Sequence, residues 1–133
     1  MGTSESKENI PWVRDLEKAV LISGFTGKPI FLMILKSLCP TCQEMEPKYN
    51  NSKDFRRTKC VDQAEVEEMY APDGQYVPRI LFLDTKGKQM NQFFNIKSQR
   101  SENRYFYPQA DDIVQTMLNV LYYFYPYNNK KGN

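Results

Sequence analysis

The chain contains no histidine, only three cysteines and a single tryptophan in 133 residues. The missing imidazole removes a common metal ligand, and Cys39, Cys42 and Cys60 alone do not make up the four ligands of a usual structural zinc site. No metal is therefore expected. Charge of one sign is also scarce, since 18 Lys and Arg against 16 Asp and Glu leave a net charge of +2, with the two signs interspersed. That balance carries no electrostatic footprint of nucleic-acid binding, and the short basic clusters Arg56-Arg57-Lys59 and Lys130-Lys131 read as solvated surface. No apolar run reaches the length of a transmembrane helix, so no integral membrane segment is expected. No secretory signal stands at Met1, and Asn128 to Asn133 contains neither KDEL nor HDEL.

What is present suits one domain. A 41% hydrophobic content over this length is enough for a core that needs no disulfide staples. Residues 1–10 read as a polar, disordered leader, 11–127 as a single domain expected to be monomeric, and 128–133 as a flexible tail. Gly2 with Ser6 matches a loose myristoylation pattern, which the leader reading supersedes.

The domain is organised around residues 29–51. Ile30, Phe31, Leu32, Met33, Ile34 and Leu35 form an apolar run of the length of a strand buried on both faces. A polar bend follows at Lys36-Ser37, then Leu38 and Cys39-Pro40-Thr41-Cys42, then the helix formers Gln43-Glu44-Met45-Glu46. A thiol at the first turn of a helix faces free backbone N–H groups and the positive end of the helix dipole, which favours its thiolate. Cys39 is thus the candidate nucleophile and Cys42, one turn deeper on the same face, the candidate resolving thiol. Pro40 suits a helix start, Thr41 offers a hydroxyl, and Lys36 offers a screened positive charge near the motif. The competing readings are half of a zinc site and a purely structural thiol pair; the strand, motif, helix order favours redox exchange.

Elsewhere, Pro11 to Ile22 reads as a helix ended by Gly24 or Gly27, with Trp12 anchoring it on the sheet. A short strand is expected near Thr58 to Val61 and a small helix over Ala64 to Met69. Arg79 to Leu83 reads as a strand begun after Pro78, Asp84 to Lys88 as a hairpin turn, and Gln89 to Phe94 as the return strand. Ile113, Val114, Met117, Leu118 and Leu121 recur at helical spacing, and the aromatic run Tyr122 to Tyr127 reads as core and rim rather than as a binding patch. Cys60 reads as a small apolar residue on a strand, with a regulatory or intermolecular disulfide as the alternative.

Three stretches, KSLCPTC, PDGQYVPRILFLD and RYFYPQADDIVQTM, resemble the thioredoxin-fold proteins of the protein-disulfide-isomerase superfamily, and most closely the small endoplasmic-reticulum thioredoxin-domain proteins and their anterior-gradient relatives. The resemblance runs from about Trp12 to Phe124 and includes Pro47, which matches the proline that kinks the active-site helix. It implies an α/β thioredoxin-like fold, a central mixed β-sheet flanked by helices. It also implies a cis peptide before Pro78, with Val77 presenting backbone groups to substrate. The implied activity is disulfide exchange with protein thiols and disulfides, glutathione being a further possible partner. No cofactor is implied beyond the Cys39–Cys42 disulfide. The implied location is the endoplasmic-reticulum lumen or secretory pathway. A client-binding, chaperone-like module of low turnover and a cytoplasmic thioredoxin-like reductase are the alternatives.

The chain departs from these relatives at several positions. Thr41 stands where disulfide isomerases carry histidine, Met33 where a buried acid usually serves the resolving thiol, and Leu38 where tryptophan is usual. The stretch 55–72 is shorter, so one sheet strand is expected to be truncated or irregular. Residues 95–103 resemble a loop insertion of the anterior-gradient group.

Overall fold

A computed structural model describes residues 12–45, 55–98 and 103–125. The expected leader, Pro47, the end of the active-site helix and the tail all lie outside these residues. Helix α1 spans Leu16–Thr26 and strand β1 Ile30–Leu35; helix α2 is described over Pro40–Met45. Strand β2 (Arg56–Val61), helix α3 (Ala64–Met69), strand β3 (Arg79–Leu83) and helix α4 (Ala110–Phe124) follow. The sheet order is β2-β1-β3; β1 runs parallel to β2 and antiparallel to β3, which makes the sheet mixed.

Every residue of β1 is buried, as its unbroken apolar run requires. Because strand side chains alternate, Phe31, Met33 and Leu35 face one cluster with Cys42, Ile80, Phe82, Ile113 and Val120, while Ile30, Leu32 and Ile34 face another with Cys60, Val66, Tyr70, Leu81 and Leu83. Helices α2 and α4 therefore cover the first face, and α1 and α3 the second. Each large side chain buried in this way contributes about 1.5–3 kcal/mol.

The leading helix begins at Leu16, not at Pro11. Asp15 caps it, accepting from the backbone N–H groups of Glu17 (3.0 Å) and Lys18 (3.4 Å), and a residue in that capping position has extended backbone. Val13 is extended as well. Its N–H donates to the Arg57 carbonyl (3.0 Å) and its carbonyl accepts from Lys59 (2.9 Å), forming one bridge on the outer edge of β2. Trp12 does anchor this end of the chain: its ring meets Phe31 edge-on and carries the Arg57 guanidinium and Lys59 ammonium over it. Gly24 lies within the helix, and Gly27, in the left-handed region at φ 73°, ends it.

Two other expectations change. The β2 strand is neither truncated nor irregular; all six of its residues pair with β1, from Ile30↔Arg56 to Leu35↔Val61. The return strand at Gln89 to Phe94 is reduced to a single bridge, Leu83↔Gln89. After Met90 donates to the Phe82 carbonyl, the chain turns back on itself through the Phe93 N–H to Met90 carbonyl bond. That turn buries Phe93 in the first cluster and packs Phe94 against the second, while the outer edge of β3 beyond Phe82 is taken by the Tyr105 carbonyl, which receives the Ile80 N–H (2.8 Å). In α4, Ile113, Met117, Leu121 and Phe124 face the core as the spacing predicts, joined by Thr116 and Val120; Val114, Leu118, Tyr122 and Tyr123 are exposed.

The hairpin turn keeps its expected form, with the Asp84 carboxylate accepting from Lys86 and Lys88 N–H groups and Gly87 at φ 84°. A Cβ on Gly87 would lie 2.9 Å from a methyl of Val20, whereas one on Gly24 would approach nothing closer than 3.9 Å. Gly87→Ala is therefore expected to destabilise the protein by about 1–3 kcal/mol, and Gly24→Ala to stabilise it by about 0.5–1 kcal/mol. Thermal melts of the two variants should move in opposite directions. A Gly87→Ala melt matching wild type would remove the close approach of turn to helix.

Candidate active site

β1 ends at Leu35, and the chain turns through Lys36, Ser37 and Leu38 before α2 begins at Pro40. Three contacts shape that turn. The Ser37 N–H donates to the Asp62 carboxylate (3.1 Å), the Gln43 side-chain amide donates to the Ser37 carbonyl (2.9 Å), and Lys36 pairs with Glu67 of α3 (3.4 Å). The Ser37 hydroxyl and then its N–H hold the Asp62 carboxyl below its ordinary pKa. Asp62 itself has φ 56°, a conformation that Asp tolerates better than most residues.

The geometry makes Cys39 and Cys42 unequal. They form a disulfide with Cα atoms 5.2 Å apart, within the usual range. Cys39 is half-buried at the start of α2, and its sulfur accepts the Cys42 N–H at 3.1 Å. Backbone N–H groups at a helix start have no intrahelical partner, and one directed at a sulfur stabilises negative charge there. Cys42 is 2% exposed, sealed among Phe31, Met33, Phe55 and Ile80. A reagent arriving from solvent thus meets the Cys39 sulfur first.

Val77 and Cys39 are both partly buried against the cluster that contains Cys42, Val77 also packs on the opposite cluster, and the Val77–Pro78 bond is cis. Pro78 is buried. Pro40 and Thr41 lie exposed on the outer surface of the motif, and Leu38 is 95% exposed. Met33 is wholly buried in the cluster of Cys42. Among the described residues, no three His, Cys, Asp or Glu side chains converge as a metal site. Cys60 is buried and free, on the opposite face of the sheet from Cys42.

Sequence reasoning missed the polar framework behind Val77–Pro78. Arg79, fully buried, donates to the carbonyls of Gly74 and of Glu67 (2.9 Å) and lies over the Tyr76 ring. The Tyr76 hydroxyl donates to Asp73 (2.7 Å) and accepts from the Tyr105 N–H (3.0 Å), while Asp73 also accepts from the Arg104 N–H (2.7 Å). Burial first, then the bond to Asp73, pushes the Tyr76 phenol well above its ordinary pKa, so it stays a donor. Burial pulls Arg79 down from its ordinary value, opposed by Tyr76, Glu67 and Asp73. The one sequence signal for this framework was the density of Asp, Gly, Tyr and Arg immediately around Val77–Pro78.

No family model matches the chain. The human anterior gradient protein 2 homolog is 26% identical over 112 residues, covering 78% of this chain and 61% of the relative. Anterior gradient protein 3 of Xenopus tropicalis is 27% identical over 112 residues, covering 78% and 66%, and that of Mus musculus 26% over 84 residues, covering 58% and 51%. The chain thus spans about half to two thirds of the length of these curated relatives. A solved DsbH oxidoreductase superposes with a TM-score of 0.49 at 21% identity, covering 61% of this chain and 69% of that one.

Burial, with the charge of Asp15 adding to it, pushes the Cys60 thiol up to about 11. A folded-state pKa above the unfolded value means that the associated stability is fully present below pH ~8.5 and is lost as pH rises through about 11. At pH 8 the native Cys60 thiolate should be about a hundredfold scarcer than that of an ordinary cysteine. Alkylation of the reduced protein followed by mass spectrometry should label Cys39 first, with Cys60 reacting only on unfolding. Early labelling of Cys60 would show that its site is open.

Proposed function

We infer that this chain, a thioredoxin-fold protein of the protein-disulfide-isomerase superfamily near the anterior-gradient proteins, exchanges disulfides with protein substrates through Cys39 and Cys42. The observation that carries the reading is the inequality of the two sulfurs. One is reachable and receives a backbone N–H at a helix start; the other is sealed in the core yet within bonding reach of the first.

In the reduced protein the Cys39 thiolate attacks one sulfur of a substrate disulfide, and the other substrate sulfur leaves as a thiolate that takes up a proton. Cys42 then loses its proton, and its thiolate attacks the Cys39 sulfur, releasing the second substrate thiol. Two electrons and two protons pass to the substrate, and the protein is left with the Cys39–Cys42 disulfide. Run in reverse, the disulfide form oxidises a substrate dithiol. Val77 and Pro78 orient the substrate beside Cys39, Leu38 offers it an apolar contact, and Lys36, Pro40 and Thr41 border the site. Met33 supplies no carboxylate, so deprotonation of the buried Cys42 is the step this chain is least equipped to speed. Protein thiols, with glutathione as a small-molecule alternative, are the proposed partners, and the secretory pathway is the proposed location.

One feature favours a second reading, a client-binding module of low turnover. Tyr122 and Tyr123 are each 60% exposed on α4, and Leu38 projects beside the motif. Exposed apolar groups of this kind are where unfolded chains are held.

A glutathione redox series on the purified protein separates these readings. Cys39 and Cys42 should titrate as one two-electron couple, near about −180 mV for an oxidase or isomerase and near about −270 mV for a reductase of the cytoplasmic type. Cys39→Ser should abolish turnover on a scrambled disulfide substrate, by about a hundredfold or more. Cys42→Ser should accumulate the mixed disulfide at Cys39. Absence of a reversible couple would sink the redox reading and leave the client-binding module.

A further inference from the structure

Glu67 is a buried carboxylate that the exchange chemistry does not use, and it sits where two cations converge. Its side chain, 8% exposed, pairs with Lys36 at 3.4 Å, and its backbone carbonyl receives Arg79 at 2.9 Å. Lys36 lies three residues before Cys39 and Arg79 directly follows Pro78, so one turn of α3 touches both segments that border the sulfur pair. The faces of the sheet matter here. Val66 of α3 and Tyr70, which caps it, pack on the cluster opposite to the one that holds Cys42, so an ammonium drawn to α3 is drawn off the side of the sheet on which Cys42 packs.

The charged groups around Lys36 can be followed element by element. Asp62, at the end of β2, interacts with it electrostatically while its carboxylate is engaged by Ser37; Glu67 of α3 holds it directly; and Arg79 of β3 lies behind Glu67. Two carboxylates thus face the ammonium of a half-exposed lysine, and the direct ion pair with Glu67 holds it at α3. A free Lys36 ammonium, three residues from the nucleophile, would instead favour the Cys39 thiolate.

We propose that Glu67 is a positioning residue for the exchange reaction, holding Lys36 against α3 so that the Cys39 thiolate is stabilised by the helix start alone and the pair stays less reactive than its motif allows. The inference rests on the redox reading of Cys39 and Cys42 and adds a restraint on their reactivity. It gives Lys36 two positions, one held and one free.

The test is the pH dependence of Cys39 alkylation by iodoacetamide in the reduced full chain, with the modified residue identified by mass spectrometry. Glu67→Gln keeps the size of the side chain and leaves the backbone carbonyl for Arg79. It should lower the Cys39 pKa and raise its thiolate fraction about two- to fivefold below that pKa, the range expected for release of a partly exposed ion pair. The gain should shrink in about 1 M salt. In a Lys36→Met background, Glu67 still faces Arg79, and Glu67→Gln should leave the Cys39 pKa where it was. The proposal fails if Glu67→Gln changes nothing, if it acts equally with and without Lys36, or if its effect ignores salt. Each of these outcomes is independent of whether the wild-type pair shows a reversible glutathione couple, so failure of the restraint and failure of the redox reading remain distinguishable.

Discussion

The structure depends on the burial of β1 on both faces. A strand without a polar residue has no side to offer water, so it must sit at the centre of the sheet with helices above and below. The position of the Cys39-Pro40-Thr41-Cys42 motif follows from that constraint. At Leu35 the apolar run stops, the chain leaves the core through a polar turn, and the next helix starts at the rim of the sheet with Cys39 outward and Cys42 directed back into the cluster beneath β1. The more accessible sulfur and its buried partner differ because they stand on either side of the boundary that β1 defines.

That part of the molecule was legible in the sequence because its signals are local. The run Ile30 to Leu35, the Cys39 to Cys42 spacing, the helix at Ala64 to Met69 and the glycine that ends α1 each depend on neighbours within a few residues. The errors arose where a contact distant in sequence outweighs a local signal. Pro11 looks like a helix start, yet Val13 finds a partner at Thr58 and Asp15 becomes the cap. Gln89 to Phe94 has the composition of a return strand, yet the edge of β3 that it would extend along is taken at Ile80 by the Tyr105 carbonyl, and the chain turns after Met90. Arg57 and Lys59 read as solvated surface, yet both are buried in β2, because the value of Trp12 as a platform for them appears only once residues 12 and 57–59 are adjacent.

The same limit explains why the site was half-read. Cys39, Cys42 and Pro78 carry a recognisable pattern, but the groups that hold them do not. Asp73 reaches the backbone of Arg104, Tyr76 that of Tyr105, and Arg79 that of Glu67. These bonds tie the segment around Pro78 to a loop near α4 on one side and to α3 on the other. Buried hydrogen-bonded groups of this kind fix one backbone geometry, since a missing partner would leave a desolvated donor or acceptor. The precision of the site therefore comes from residues with no chemistry of their own.

The single bridge at Val13 has a counterpart across the sheet. Val13 occupies the outer rim of β2, while the Tyr105 carbonyl receives the Ile80 N–H and the Met90 N–H reaches the Phe82 carbonyl on the outer rim of β3. A three-stranded sheet would ordinarily have two open flanks on which another chain could polymerise. Here irregular segments have already claimed hydrogen-bonding groups on both. In this protein both rims of the ladder are blunted by the chain itself, so neither strand edge offers an uninterrupted row of donors and acceptors to a second sheet.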